Sequence, residues 1–183
     1  MIQIRKSVFE TNSSSTHSIA ISKKPVTVGK YMSFNIGEFG WENGCADTAD
    51  YLYTAILEQE NSSELLDKLK KILDKYSVKY NFEEPKYETS SNGEYKWLKY
   101  GYIDHSDELE DFLDAVLSNE DLLIRYLFGD STVYTGNDNQ DIDPSGCNIA
   151  NEYYWADDEN GKFGRVANPY HDSENYDYFY KGN

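Results

Sequence analysis

The spacing of apolar residues changes along the chain, and this change constrains the fold more than any other sequence feature. Near the N-terminus, residues 2–5 and 19–22 alternate between apolar and polar side chains, as strands do. Farther on, apolar residues recur three and four positions apart, which is typical of helices that bury one face. The predicted helices begin near Ala49, after Asn61, after Ser106 and near Glu120. The further predicted strands cover residues 78–83, 95–103 and 131–135.

This order of elements predicts an α+β fold, with a mainly antiparallel sheet and three or four packed helices. Aromatic residues make up 15% of the chain, so they can fill a core that has few aliphatic residues. After Gly136 the apolar periodicity fades, and Gly, Asn, Asp and Tyr dominate. We therefore expect one domain, residues 1–183, with an α+β core at 1–136 and an irregular, loop-rich C-terminal extension at 137–183. The extension is either tyrosine-rich loop packing or a partner-binding surface.

The chain is strongly acidic, with 17 Lys and Arg against 33 Asp and Glu and a formal net charge of −16. Residues 45–183 carry 12 basic and 30 acidic residues, a balance of 12 − 30 = −18. Such a surface repels the phosphate backbone, which argues against sequence-specific DNA binding. It suits a basic protein groove instead, including one built to hold nucleic acid, or it serves only to keep the protein soluble.

Residues 11–18 form a continuous polar run that ends at His17 and Ser18. The run is too polar for a strand interior and too rich in local hydrogen-bonding side chains for a helix, so a tight turn is predicted. A functional alternative assigns the run to phosphate chemistry. In that case His17 exchanges a proton near neutral pH, while Arg5, Asn12 and Ser14 hold a phosphate beside it.

Three other segments combine residue types that occur in functional sites. They are Phe39-Gly40-Trp41-Glu42, Tyr102-Ile103-Asp104-His105 and Thr135-Gly136-Asn137-Asp138-Asn139. Each also has a plain structural explanation, which is core packing for the first, a strand before a helix for the second and a turn after a strand for the third. The residue types alone leave both interpretations open.

Missing patterns exclude several classes of protein. The sequence has no phosphate-binding loop, dinucleotide fingerprint, zinc-peptidase motif or serine-esterase motif, and no cofactor is expected. Cys45 and Cys147 are too few for a disulfide scaffold and unsuited to a zinc site, and no metal is assigned. No apolar run approaches the ~18 residues that span a bilayer, and no signal-peptide pattern follows Met1. A reducing cytoplasm and no membrane partner are therefore expected.

The string Phe9-Glu10-Thr11-Asn12-Ser13-Ser14-Ser15-Thr16-His17-Ser18 resembles the N-terminal signature of small proteins from phages and mobile elements of Gram-positive bacteria. Four segments are similar to further landmarks of that family, and the similarity spans residues 1–140. These family landmarks are Phe39-Gly40-Trp41-Glu42, Tyr51-Leu52-Tyr53-Thr54, Tyr102-Ile103-Asp104-His105 and Gly136-Asn137-Asp138-Asn139. Within the family, the chain resembles type II-A anti-CRISPR proteins that inactivate Cas9 and are associated with shortening of its guide RNA.

The resemblance implies Cas9 and its guide RNA as partners and the cytoplasm of a bacterial host cell as the location. In one mode of action the chain is a ribonuclease acting on Cas9-bound guide RNA. His17 would then be the base or acid, His105 would take the opposite role, and Arg5, Asn12 and Ser14 would stabilise phosphoryl charge. In the other mode, a non-catalytic acidic inhibitor occupies a basic nucleic-acid channel of Cas9. A phage accessory protein with another host partner is a third alternative, and the oligomeric state is left open.

Overall fold

The computed structural model describes residues 3–4, 15–40, 44–93, 95–104, 109–137, 149, 151–157 and 160–181. The α-helices in these ranges are α1 (Thr48–Leu57), α2 (Ser62–Lys75), α3 (Glu110–Ser118) and α4 (Glu120–Phe128). The strands are β1 (Gln3–Ile4), β2 (Ser15–Ser22), β3 (Tyr31–Phe34), β4 (Glu38–Phe39), β5 (Gly44–Ala46), β6 (Lys79–Phe82), β7 (Tyr87–Thr89), β8 (Tyr95–Leu98), β9 (Tyr102–Ile103), β10 (Ser131–Asn137), β11 (Tyr153–Asp157), β12 (Phe163–Ala167) and β13 (Tyr176–Lys181). The predicted α+β fold is confirmed.

The largest sheet has the strand order β13–β2–β10–β5, and every pairing in it is antiparallel. Strand β2 lies inside this sheet, where Ile19 is in register with Val133 of β10 and with Phe179 of β13. All eight residues of β2 are buried. This central sheet positions Ser15–Ser18, the last residues of the N-terminal signature, in the interior of the molecule.

The prediction of a tight turn over residues 11–18 is wrong for Ser15–Ser18, which belong to β2. Strand β10 pairs with all of Ser15–Ser18, and β13 pairs with His17 and Ser18, so ladder hydrogen bonds rather than the polar side chains satisfy the backbone. Tertiary pairing thus overrides the local preference of Ser and Thr for turns. Residues 11–14 lie outside the described part of the chain.

The smaller sheets are β1–β8–β7, β3–β6, β4–β9 and β11–β12. Three strand pairs in them are parallel, namely β1 with β8, β3 with β6 and β4 with β9. Parallel neighbours require a long crossover, and helices α1 and α2 lie in the crossover between β3 and β6. The short parallel pairs therefore join segments that are distant in sequence.

The central sheet is covered on both faces. On one face, Ile19 and Ile21 of β2 pack with the apolar residues of the four helices in the main core. On the other face, Ala20 packs with Tyr134, with Ile149 and with the tyrosines of the C-terminal part. This alternation follows from the two-residue period of a strand. The helices and the C-terminal part therefore enclose β2 between them.

The C-terminal part differs from the expected irregular extension. Its described residues form the strands β11, β12 and β13 and a short 3₁₀-helix, Pro169–His171. Strand β13 is a member of the central sheet, and residue 149 is fully buried beneath it. The apolar periodicity is weak here because the side chains that pack on the second face are mostly tyrosines, which are amphipathic rather than aliphatic.

Side chains cap α1 and α4, whereas the Asn61 side chain makes no capping hydrogen bond at the start of α2. The Asp47 side chain accepts hydrogen bonds from the amides of Ala49 and Asp50 and begins α1. Asn119 caps α4 in the same way, and the helix ends at Gly129, as predicted. Among the described residues, none of the helices combines the length and the apolar character needed to cross a bilayer.

Candidate functional site

His17 and Tyr51 form a buried polar pair between the central sheet and α1. The Tyr51 phenol oxygen lies 3.0 Å from His17 Nδ1, and the ring centroids are 5.9 Å apart. His17 is 1% exposed and Tyr51 is fully buried. His17 points to the helical face because it lies two residues before Ile19 on β2. Tyr51 is held opposite it by the first turns of α1, which Asp47 caps.

The environment keeps the Tyr51 phenol neutral. Burial raises the pKa of Tyr51 well above its usual value, and the nearby Glu58 carboxylate raises this pKa further. A neutral phenol can donate its proton to Nδ1 of a neutral imidazole, which then carries its own proton on Nε2. The pair therefore fixes the orientation of the imidazole ring in a dry environment.

The described parts of the four segments that resemble family landmarks meet around this pair. The Phe39 ring packs edge-on against Tyr51, with ring centroids 5.3 Å apart. Strand β4, which contains Phe39, pairs with β9, so that Phe39 lies in register with Ile103. On the central sheet, Gly136 lies in register with Thr16, the residue before His17. Segments up to 120 residues apart in sequence therefore converge near one end of β2.

One hydrogen bond and one close approach link these segments. The Glu58 carboxylate accepts a hydrogen bond of 3.0 Å from the amide of Ile103, which ties the end of α1 to β9. Gly40 lies so close to Asp104 that a Cβ on Gly40 would be 2.8 Å from Asp104 Cβ. The landmark glycine thus permits a close approach between the segments that follow β4 and β9.

The structure describes one of the five predicted catalytic residues. That residue is His17, whereas Arg5, Asn12, Ser14 and His105 lie outside the described ranges. A general base must come within hydrogen-bonding distance of the proton that it removes. Because His17 is almost completely buried, direct contact with an RNA hydroxyl requires the residues that cover it to move. The catalytic assignment stays a prediction.

The third histidine, His171, has a structural role. His171 Nε2 donates a hydrogen bond of 2.8 Å to the carbonyl oxygen of Ile149, and its ring lies against Tyr178 with centroids 4.1 Å apart. Tyr178 donates a second hydrogen bond, of 3.0 Å, to the same carbonyl. These contacts fasten residue 149 to the second face of the central sheet.

A second candidate site is an acidic surface on α3 and α4. Residues 109–137, all of which the structure describes, contain six acidic residues and one basic residue. We name the six the acidic helix surface: Glu110, Asp111, Asp114, Glu120, Asp121 and Asp130. Five of the six are exposed and Glu120 is half-buried. On α3 and α4 they lie on the polar sides of helices whose other sides bury residues such as Phe112 and Leu123.

Three of the six acidic residues are ion-paired with basic side chains: Asp121 with Arg125, Glu120 with Lys75 and Asp130 with Lys24. The Arg125 side chain is 13% exposed. Its Nε donates to Asp121 at 2.9 Å, and Nη1 donates to Asp177 at 2.9 Å and to the carbonyl oxygen of Ser22 at 3.0 Å. The sequence showed the acidic residues, but these ion pairs depend on packing.

Next to this surface, the groove between α2 and α3 has mixed charge. Its volume is about 510 Å³, and its charged lining residues are Lys68, Lys71, Lys75, Asp114 and Glu120. Lys75 forms an ion pair with Glu120 across the groove. Among the described residues, the members of the acidic helix surface that form no ion pair are therefore Glu110, Asp111 and Asp114, all on α3. Within the described ranges, no group of three or more His, Cys, Asp and Glu side chains could hold a metal ion.

Cys45 on β5 is disulfide-bonded, which the sequence analysis did not predict. Cys147, the other cysteine of the sequence, lies outside the described residues. Stable disulfides are rare in a reducing cytoplasm. The cytoplasmic location therefore stays a prediction that a count of free thiols can test.

No protein family, curated protein or solved structure matches this chain.

Proposed function

We propose that this protein is an inhibitor of type II-A Cas9 that binds the Cas9–guide RNA complex through its acidic helix surface. This surface would occupy a positively charged region of Cas9 that otherwise holds nucleic acid. The observation that carries the proposal is an exposed acidic surface on α3, α4 and the turn that follows, in which Glu110, Asp111 and Asp114 form no ion pair with any described residue. The resemblance of the N-terminal signature to anti-CRISPR proteins supports the choice of partner.

The charge of the whole chain supports a protein target over a bare nucleic acid. A formal net charge of −16 repels RNA and DNA at long range, whereas it steers the molecule toward a basic protein. A protein that holds RNA in a basic channel offers a positively charged surface that attracts this chain and also brings the RNA close to it. The inhibitor can therefore reach the complex although free guide RNA repels it.

The test compares two variants of equal net charge. Variant Glu110→Gln/Asp111→Asn/Asp114→Asn neutralises three residues of the acidic helix surface. Variant Glu60→Gln/Glu84→Gln/Glu174→Gln neutralises three exposed residues elsewhere. With three weakened charge contacts, the first variant should bind the Cas9–guide RNA complex about tenfold more weakly. The second should bind nearly as the unaltered protein does, and equal losses in both would reject this surface as the contact.

A second candidate function is shortening of the guide RNA on Cas9. The convergence of the family landmarks around His17 and Tyr51 favours it. In metal-free cleavage, a base removes the 2′-hydroxyl proton and the resulting oxygen attacks the adjacent phosphate. Because His17 is buried, its role in the structure as described is to position the segments around it. Contact between His17 and RNA requires the residues that cover the imidazole to move.

The length of the guide RNA after incubation distinguishes the two functions. Guide RNA is incubated with the protein alone, with Cas9 alone and with both, and is then sized on a denaturing gel. Cleavage predicts a shorter RNA only with both proteins and at substoichiometric amounts of the inhibitor. Occupancy predicts RNA of full length and one inhibitor per Cas9. His17→Gln, checked for folding by circular dichroism, should abolish shortening if His17 takes part in it.

A further inference from the structure

The β11–β12 hairpin presents an exposed aromatic face. Side chains alternate along its two strands, and the outward positions hold Tyr153, Trp155 and Phe163, which are 40%, 68% and 67% exposed. Trp155 and Phe163 stack across the strands with centroids 5.9 Å apart. The Arg165 guanidinium lies 3.9 Å from the centre of the Tyr153 ring. We name these four residues the aromatic hairpin face.

This face does not contribute to either core of the described structure. The main core and the smaller tyrosine cluster on the second face of the central sheet contain none of its residues. The hairpin forms its own two-stranded sheet. Large aromatic side chains that are grouped on one exposed face, rather than scattered, are typical of interaction sites. Trp, Tyr and Arg are also the residues that carry most binding energy in protein interfaces.

The net charge of the chain selects the kind of partner. The formal net charge is −16. Nucleic-acid platforms combine stacking aromatics with a positively charged groove, and the net charge of this chain is of the opposite sign. A second copy of the chain would bring the same negative charge against itself. A basic protein surface with an apolar depression suits both the aromatic residues and the negative charge of the chain.

We propose that the aromatic hairpin face docks into an apolar depression on a positively charged protein surface. The inference rests on the proposed function for the identity of that protein, the Cas9–guide RNA complex. It adds a second contact of different physical character. The acidic helix surface supplies long-range attraction that salt weakens, whereas the aromatic hairpin face supplies buried apolar contact that salt does not weaken.

The test uses the full chain with Trp155→Ala/Phe163→Ala. The matched control is Tyr31→Ala/Tyr100→Ala, because those tyrosines are 61% and 62% exposed on other parts of the surface. Loss of two central aromatic contacts should weaken binding to the Cas9–guide RNA complex at least about thirtyfold, and the control should change it little. The dependence of log Kd on log salt should keep its slope in both. Single substitutions Trp155→Ala and Phe163→Ala, each with an unchanged circular dichroism spectrum, separate lost contact from a disrupted hairpin.

Three results would overturn the inference. If the unaltered protein binds the complex and the hairpin variant binds equally well, this contact is rejected while the proposed function stands. If binding of a single-stranded oligouridine is lost in the hairpin variant, the face is a base-stacking platform. If sedimentation shows a dimer that the variant dissolves, the occupant is a second copy. Absence of any binding to the complex would instead reject the proposed function, and with it the partner named here.

Discussion

The phenol oxygen of Tyr51 lies 3.0 Å from Nδ1 of His17, and both side chains are closed off from solvent. The pair links the first helix to the central strand of the main sheet. His17 belongs to the N-terminal signature, and Tyr51 belongs to a segment that resembles a family landmark. His17 therefore has a structural role in the interior, whatever chemistry the surrounding residues perform.

Removal of the Tyr51 hydroxyl tests this role. Tyr51→Phe leaves the imidazole nitrogen of His17 without its buried partner, which should lower the free energy of unfolding by about 1–3 kcal/mol. Urea denaturation measures the loss. Tyr100→Phe is the control, because Tyr100 is 62% exposed and its hydroxyl can bond to water. Equal stability of Tyr51→Phe and the unaltered protein would show that the pair contributes nothing to the fold.

Alkaline pH should unfold the protein through its buried tyrosines. Burial raises the pKa of Tyr53 and of Tyr178 to about 12, and it raises the pKa of Tyr51 and Tyr126 well above 10.0. These groups stay protonated when folded but ionise near pH 10.0 when unfolded, so stability is complete below that pH and falls as the pH rises toward 12. Tyrosinate absorbance and circular dichroism should change together. Full ionisation of all tyrosines near pH 10.0 with the fold intact would contradict the burial.

Arg125 should matter more to stability than a surface cation does. Arg125→Met removes the hydrogen bonds to Asp121, to Asp177 and to the Ser22 carbonyl, and should cost about 2–3 kcal/mol of unfolding free energy. Lys68→Met is the control, because Lys68 forms an exposed pair with Glu64 on α2 that is worth about 0.5 kcal/mol or less. Thermal unfolding compares the two. Similar losses would mean that Arg125 does not fasten β13 to α4.

Gly40 should resist substitution because of its close approach to Asp104. The added methyl of Gly40→Ala would lie 2.8 Å from Asp104 Cβ, so β4 and β9 must separate beside Tyr51. We expect a loss of about 1–3 kcal/mol in the free energy of unfolding. In Gly164→Ala the methyl meets no atom within 4 Å, and stability should be unchanged or slightly higher. Urea denaturation of both variants makes the comparison, and a neutral Gly40→Ala would remove the steric argument.

Local patterns in the sequence predicted the helices well, and long-range pairing explains what they missed. The end of α4 at Gly129 follows from the neighbouring residues alone. Ser15–Ser18 become a strand only because β10 and β13, more than a hundred residues away, pair with them. The place of β13 in the central sheet likewise depends on contacts such as Arg125 with Asp177.

In the candidate sites too, the residue types could be identified from the sequence, whereas the contacts between them could not. His17 was identified from its residue type, but its burial against Tyr51 depends on how α1 packs on the sheet. The acidic helix surface requires α3 and α4 to lie side by side, and the aromatic hairpin face requires the cross-strand register of β11 and β12. None of these relationships is encoded in the spacing of nearby residues.

The salt dependence of binding tests the central claim most directly, which is that an acidic molecule finds nucleic acid only through the basic protein that holds it. The dissociation constant is measured for Cas9–guide RNA and for free guide RNA over a series of salt concentrations. We predict binding to the complex that weakens steadily as salt increases, and no binding to free guide RNA at any concentration. A protein that fails to bind the complex at low salt, and leaves Cas9 fully active, would contradict the account.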